Sequence, residues 1–167
     1  MRIGVFQVAH ATFFTPSEEA GIGGMHRQTI RCNPLWYGAY PRYDTVFVNV
    51  DSDAEGFRAM LVARVRLLFR FTYEEEEHAC AYVEWFMTED EAPDSVTGMW
   101  RVRPEVLNGQ RVVGVISLDS IVRACHLLPV FGTTRLPSDF HFSSTLDAFR
   151  QYYVNRYIDY HAYETII

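Results

Sequence analysis

The chain contains no lysine, and all 15 of its basic residues are arginine. It also has 21 acidic residues, so the formal net charge is -6 at pH 7. The net negative charge argues against phosphate binding over the whole surface, although a local basic patch could still bind phosphate. The absence of lysine is typical of codon bias in a GC-rich genome, although arginine also suits bidentate and stacked contacts.

Cysteines are few, and apolar runs are short. Cys32, Cys80 and Cys125 are odd in number and widely spaced, which indicates neither a disulfide framework nor a zinc site. We therefore expect a reducing, intracellular setting. No apolar run approaches the roughly 18 residues of a membrane-spanning helix. Gln7 and His10 interrupt the N-terminal apolar stretch, which is typical of a strand rather than a signal peptide.

The sequence also lacks recognisable catalytic motifs. G-x-S-x-G, P-loop and G-x-G-x-x-G patterns are absent, no metal-ligand spacing repeats, and Gly21–Gly24 is interpreted as a turn. Cys125 and His126 are adjacent and point to different faces, so they cannot form a dyad with each other. We expect no enzymatic activity, no metal and no cofactor. A thiolate enzyme that uses Cys125 or Cys80 is kept as a third functional alternative.

What the sequence does contain is apolar runs with a period near two. Residues 61–73 alternate apolar residues with arginine, Glu74–Glu77 form an acidic turn, and residues 79–87 return as the partner strand. This is the strongest hairpin signal in the chain. Further strands are predicted over residues 3–14, 43–50, 99–102, 112–117 and 127–131, with loops over 15–24, 33–41 and 88–98.

Residues 143–167 have a different pattern. Ser144 and Asp147 have the spacing of a capping box, with Asp in place of Glu. Apolar residues then recur at intervals of three and four, which predicts an amphipathic helix of about four turns. Its stripe either packs on the barrel or forms a homodimer surface. The stripe consists of Leu146, Phe149, Tyr153, Tyr157 and Tyr160.

We therefore predict a mainly β protein. It consists of a small antiparallel barrel-like domain over residues 1–142 and a C-terminal helix, residues 143–167, packed on it. A hydrophobic fraction of 49% is enough for a folded core.

Several strings carry a family resemblance: FFTPSEEAGIGGM, PRYD, VARVRLLFRF, CAYVEWF, TGMW, VISLDSIVRACHLLPVFG and LDAFRQYYVNRYIDYHAYE. Together they resemble the C-terminal region of fungal open reading frames associated with Kyakuja–Dileera–Zisupton (KDZ) DNA transposons, over nearly the whole chain. The chain departs from the family at Thr15-Pro16-Ser17-Glu18, where members read APSD, and at Glu74–Glu77, where they carry a Gly-containing turn. The resemblance implies a transposon-associated origin and supplies no activity.

The order of the predicted strands is similar, at the level of fold, to the bromo-adjacent homology (BAH) domain. BAH domains are β-barrel modules of chromatin proteins, so this similarity implies a chromatin partner and a nuclear location. The RNase H-like α/β core of a transposase is not apparent in the sequence.

An aromatic cage is the first candidate site. Trp36, Tyr37, Tyr40 and Tyr43 cluster in and after one predicted loop, while Trp85 and Trp100 flank an acidic one. Two or three aromatic faces with a nearby carboxylate, such as Glu84, can bind a methylated or otherwise cationic tail. The alternative is that Tyr43 and Trp85 simply pack the core.

The second candidate site is the arginine row of the predicted strand 61–73. Arg64, Arg66 and Arg70 could bind phosphate or an acidic peptide, or could pair across the hairpin with Glu84 and the glutamate turn. Cross-strand pairing is the commoner arrangement.

The favoured function is a non-catalytic, transposon-derived protein-interaction module. Its partner would be a histone tail, a chromatin protein or a transposon-encoded protein, bound through the aromatic loops. A nucleic-acid-binding accessory domain that uses the arginine row is the alternative. A transposon relic that folds without a present function is a further one.

Overall fold

A computed structural model describes residues 3–16, 22–133 and 135–167. Residues 17–21 lie outside these ranges. They include part of the predicted turn at Gly21–Gly24, part of the predicted loop over residues 15–24, and Ser17-Glu18, where the chain departs from the KDZ family sequence. The structure is mainly β, with 53% strand. The predicted fold class is confirmed.

The β-strands of the described residues are short, except for the central hairpin. Their bounds are β1 (Ile3–Phe6), β2 (Val8–Phe14), β3 (Met25–Trp36), β4 (Tyr40–Tyr43), β5 (Thr45–Asn49), β6 (Met60–Tyr73), β7 (Glu76–Thr88), β8 (Arg101–Pro104), β9 (Val106–Leu107), β10 (Gln110–Arg111), β11 (Val113–Ser117), β12 (Ile121–Cys125), β13 (Leu127–Pro129) and β14 (Tyr152–Val154). Two short α-helices lie on either side of β14 in the chain: α1 (Thr145–Ala148) before it and α2 (Tyr160–Thr165) after it.

The main sheet nearly closes into a barrel. Its strand order is β12-β5-β6-β7-β8-β14-β13, and neighbouring strands are antiparallel. Only His126 separates its two end strands, β12 and β13, along the chain, so both ends of the sheet are held together. Pro129 lies in β13, at the end of the sheet, as expected for a residue without a backbone N–H.

The β6–β7 hairpin is longer than the barrel and projects from it. β1 pairs with residues 68–71 of β6, and β11 pairs with residues 80–84 of β7. We call this four-stranded extension the platform: β1, residues 67–73 of β6, residues 76–84 of β7, and β11. The predicted hairpin is confirmed, but its turn is shorter than predicted, because Glu76 and Glu77 already pair in β7 and only Glu74 and Glu75 form the turn.

The central strands are buried on both faces. On β5, Phe47 faces the barrel interior, while Val46 and Val48 face a second core beneath the β2–β3 hairpin. This second core is completed by small residues of β2 and by Ile30 and Cys32 of β3. Because both faces are covered, these strands are continuous apolar runs rather than strictly alternating ones.

The predicted single strand over residues 3–14 is two strands in the structure. β1 pairs with β6, whereas β2 pairs with β3, and the chain bends at Gln7 between them. Similarly, the predicted loop over residues 33–41 is shorter than expected, because β3 extends to Trp36 and β4 begins at Tyr40. Pairing partners distant in sequence decide both boundaries.

The four-turn C-terminal helix is not formed, and that prediction is wrong. Tyr152 and Val154, both fully buried, lie in β14 between β8 and β13. Burial raises the pKa of Tyr152 to about 12, and its hydroxyl donates to the carbonyls of Thr145 and Phe149. Ser144 makes no side-chain capping bond. Strand pairing in the barrel therefore overrides the helical periodicity.

The residues of the predicted stripe consequently do not share one helix face. Leu146 and Phe149 pack against the barrel core, whereas Tyr157 and Tyr160 are exposed. The second helix, α2, begins after Asp159, whose side chain accepts from the Ala162 N–H.

Candidate binding groove

The arginine row of β6 is engaged by glutamates of β7. Nε of Arg66 lies 3.6 Å from Oε1 of Glu84, and Nη1 of Arg70 lies 3.3 Å from Oε1 of Glu77. These are the cross-strand ion pairs that the sequence favoured over a nucleic-acid groove. They leave little of the row's charge for a polyanion.

Arg64 leaves the row altogether. A β-bulge between Val65 and Leu67 breaks the alternation, and only 4% of Arg64 is exposed. Its Nη1 donates to Asp147 at 2.7 Å, at the mouth of the barrel. Its Nε is buried and has no hydrogen-bond partner among the residues that the structure describes. Arg64 therefore does not share one accessible row with Arg66 and Arg70, as the second candidate site required.

Trp36 is flanked by arginines of the chain itself. Cζ of Arg31 lies 5.0 Å from the centroid of the Trp36 ring, and Cζ of Arg42 lies 5.2 Å from it. The Tyr37 ring packs edge-on at 4.7 Å and is itself 84% exposed. The aromatic surface that a cationic tail would use therefore already contacts two cations.

The two remaining tyrosines of this region have partners of their own. The Tyr43 ring stacks under Arg66, with Cζ at 4.3 Å from its centroid, and Arg64 lies 5.7 Å away. Tyr40 packs edge-on against Phe142 at 4.9 Å.

Trp85 and Trp100 occupy different layers of the fold. Trp100 is buried in the barrel core and stacks on Phe57 at 5.0 Å. Trp85 packs against β11 so closely that a Cβ on Gly114 would lie 2.7 Å from its Nε1. Glu84 is held by Arg66. The candidate aromatic residues are thus distributed over the three-stranded β2-β3-β4 sheet, the barrel interior and the β7–β11 contact, and no ring contact among the described residues joins Trp36 to either other tryptophan.

A groove of about 530 Å³ lies between β3 and β12, and we call it the β3–β12 groove. It is open to solvent, and both polar and apolar side chains line it. It is lined by His26, Arg27, Gln28, Thr29, Arg31, Arg42, Tyr43, Asp44, Thr45, Arg123, Ala124, Cys125, His126, Leu127, Thr145, Leu146 and Ile158. A smaller cavity of about 260 Å³ adjoins it and shares Arg42, Tyr43 and Leu146.

The charge of the β3–β12 groove is positive, although the chain is acidic as a whole. Arg42 is paired with Asp44 (Nε–Oδ1 3.0 Å), and Asp44 also accepts from the Arg31 backbone N–H at 2.8 Å. In the part of the chain that the structure describes, no carboxylate lies within salt-bridge distance of the Arg27 or Arg31 guanidinium. These two groups are therefore available to an anionic partner.

In the wall of the groove, side chains rather than another strand make the hydrogen bonds to the outward-facing backbone groups of β12. Ala124 lies in β12, the end strand of the sheet. The Gln28 side chain accepts from the Ala124 N–H at 2.8 Å, and Arg123 Nε donates to the Ala124 carbonyl at 3.2 Å. This closes the strand edge to β-augmentation at this point, so a ligand here would be recognised by side chains.

Arg123 is the structural centre of this wall. It is 1% exposed, and its guanidinium makes a bidentate ion pair with Asp159, with Nη1 donating to Oδ1 at 2.7 Å. It also donates to Nδ1 of His161 at 2.9 Å and stacks on the Phe13 ring at 4.9 Å. The pair ties β12 to the N-terminus of α2.

Sequence reasoning did not identify Arg27, Arg31, Arg42 or Arg123 as site residues. The alternation of Arg27, Thr29 and Arg31 along one strand is a visible signal for a polar face. The approach of β12, far away in sequence, is not visible in any local pattern.

The cysteines are unsuited to thiolate chemistry where they are buried. Burial raises the pKa of Cys32 to about 11 and raises the pKa of Cys125 further above its ordinary value. Cys80, on the platform, is partly exposed. Among the described residues, no cluster of three or more His, Cys, Asp or Glu side chains could hold a metal ion.

No family model, curated protein or solved structure matches the chain. In the part of the chain described, no helix is both long and apolar enough to span a bilayer.

Proposed function

We propose that the protein is a non-catalytic interaction module that binds an acidic segment of a partner protein in the β3–β12 groove. The observation that carries this proposal is the pair of arginines, Arg27 and Arg31, that line the groove without a carboxylate partner among the described residues. Guanidinium groups bind carboxylates bidentately, so an extended segment rich in Asp or Glu is the matching chemistry.

Charge favours an acidic peptide over a nucleic acid. A nucleic acid presents a continuous row of phosphates, which a chain of net charge -6 repels outside the groove. The row that could have tracked such a backbone is paired, since Arg66 and Arg70 contact glutamates and Arg64 is buried. A short acidic segment needs only the local positive charge.

The same contacts disfavour a cationic tail as the ligand. Arg31 and Arg42 cover the Trp36 ring, and a lysine-rich or arginine-rich histone tail would meet these like charges. Trp36 therefore supports Arg31 and Arg42 by stacking, and we assign it a positioning role beside the groove.

The KDZ and BAH resemblances supply the setting of this proposal. They favour a transposon-derived module in the nucleus, with a chromatin protein or a transposon-encoded protein as the partner. The groove adds that the recognised part of the partner is acidic.

The test is a titration of the protein, by fluorescence anisotropy, into three labelled ligands of similar length: a Glu/Asp-rich peptide, a trimethyl-lysine peptide and a single-stranded oligonucleotide. We expect saturable binding to the acidic peptide alone. Arg27→Ala combined with Arg31→Ala should weaken it about tenfold, since two charge-assisted contacts are lost.

Arg150→Ala is the matched control, because Arg150 is exposed and lies away from the groove. Tighter binding of the oligonucleotide would favour the nucleic-acid alternative, and selective binding of the trimethyl-lysine peptide would favour the aromatic cage. Equal losses from the double variant and the control would contradict the assigned groove.

A further inference from the structure

The platform presents an apolar face that the rest of the chain leaves exposed. Residues opposite one another in the antiparallel register share a face, and two such rows are Leu67–Tyr82–Val115 and Val5–Phe69–Cys80–Ser117. Val5 is 62% exposed and Val115 61%, and Leu67 and Tyr82 are exposed as well. This face continues the barrel's interior face beyond the mouth of the barrel.

The opposite face of the same strands is covered. Leu68, Ala81 and Val83 are buried under the β2–β3 hairpin. Next to the barrel, at residues 67–69 of β6 and 80–83 of β7, the platform is therefore apolar on both faces, a pattern that belongs to strands buried on both sides. Nearer the tip, the opposite face carries the exposed pair Arg70–Glu77. A sheet with one packed face ordinarily carries polar residues on the other.

We propose that a second copy of this chain packs on the exposed face of the platform. Seven apolar side chains of this face are 37% to 62% exposed: Ile3, Val5, Leu67, Tyr73, Tyr82, Val113 and Val115. At about 170 Å² for a fully exposed large apolar side chain, they leave on the order of 600 Å² per copy, so two faces reach the roughly 1,200 Å² at which specific interfaces begin. A face that large is also at the upper limit of what monomers usually leave uncovered. Face-to-face packing of the two platforms would form a sandwich with a symmetric interface.

Charge complementarity supports the second copy as the occupant. The tip of the platform carries Glu74–Glu77, while Arg66 and Arg111 lie at its base, beside Glu84. A two-fold axis that lies in the plane between the two faces, perpendicular to the strands and level with Cys80, makes the two hairpins antiparallel. The acidic tip of one copy then lies over the Arg66–Glu84–Arg111 cluster of the other, in which two arginines share one glutamate and the net charge is positive.

The experiment is sedimentation equilibrium of the full chain over a range of concentrations. We expect a dimer of the 19.4 kDa chain that Leu67→Glu and Val115→Glu each convert to a monomer, because a carboxylate in the apolar interface is costly to desolvate. Val96→Glu is the control, since Val96 is 91% exposed and lies outside the platform. It should leave the dimer intact. Circular dichroism confirms that each variant is folded.

Modification of Cys80 gives a second readout that does not depend on a substitution in the face. In the dimer Cys80 is covered, so its reaction with a maleimide should slow as the protein concentration rises. A monomer at every concentration, or a dimer that persists in both platform variants, would overturn the proposal. Higher aggregates in place of a dimer would overturn it as well.

Discussion

At the scale of single residues, the fold depends on two buried arginines, each of which forms an ion pair with an aspartate. Arg123 and Arg64 are both almost inaccessible, and each donates to an aspartate of the C-terminal segment, Asp159 and Asp147 respectively. Removing the carboxylate of such a pair leaves a buried charge without compensation, which costs more than the pair contributes to stability.

Asp159→Asn should lower the free energy of unfolding by about 3 kcal/mol, because Arg123 then stays buried without its counter-charge. The measurement is urea denaturation at pH 7. Asp119→Asn is the control, since Asp119 is exposed and lies outside any ion pair of the described residues. Equal effects of the two substitutions would contradict this assignment.

The same pair gives the stability a pH dependence of known sign. Burial alone would raise the pKa of Asp159, but hydrogen bonds from Arg123 and the Ala162 N–H outweigh it and lower the pKa. A lowered folded-state pKa contributes stability that is fully present above the unfolded-state pKa of about 3.9. This stability is lost as the pH falls through the folded-state value. The difference between wild type and Asp159→Asn should therefore shrink below pH 4, and a constant difference would argue against the pair.

Thiol reactivity is a further prediction at this scale. Because burial raises the pKa values of Cys32 and Cys125, neither should react with a thiol reagent at pH 7.5 in the folded protein at low concentration. Cys80 should react. Counting the modified thiols by mass spectrometry before and after unfolding should give one and then three. Rapid modification of Cys125 in the folded protein would instead revive the thiol-enzyme alternative.

At the scale of elements, local signals predicted the hairpin well and the C-terminal segment poorly. The β6–β7 hairpin is specified by neighbouring residues, through the alternation and the solvated glutamate turn. The segment around Tyr152 has helical spacing but forms a strand, because β8 and β13 offer backbone partners that only the tertiary fold supplies. The spacing of apolar residues indicates which side chains can be buried. It does not indicate which strands will be close enough to form backbone hydrogen bonds.

The hairpin turn is strained, and relieving it should stabilise the protein. Glu74 and Glu75 both have positive φ (49° and 67°) between the paired residues Tyr73 and Glu76, the arrangement of a type I′ two-residue turn. Replacing Glu74–Glu75 with Asn-Gly should raise the free energy of unfolding by about 1 kcal/mol, since Asn and Gly tolerate this backbone.

The control for the turn is the double substitution to Gln, which removes both charges and keeps the strained backbone. Thermal denaturation at low protein concentration compares the three proteins. If the Gln variant gains as much stability as the Asn-Gly variant, charge repulsion rather than backbone strain limits the turn.

At the scale of the whole molecule, the barrel fixes two surfaces of opposite character. The β3–β12 groove carries net positive charge, whereas the exposed face of the platform is apolar. Sequence analysis did not identify the arginines of β3 as site residues, and it interpreted residues 61–73 as a strand that alternates apolar residues with arginine. It did not show the groove itself, because β3 and β12 meet only through the nearly closed sheet.

The central claim is that the β3–β12 groove receives an acidic segment, and the most direct measurement is NMR mapping of backbone amide shifts during titration with a Glu/Asp-rich peptide. The account predicts saturating shifts concentrated at residues 26–31 and 123–127, and the Arg27→Ala, Arg31→Ala double variant should need about tenfold more peptide to saturate. Shifts centred on Arg66 and Arg70, or on Trp85 and Trp100, would contradict it, as would a spectrum that the peptide leaves unchanged.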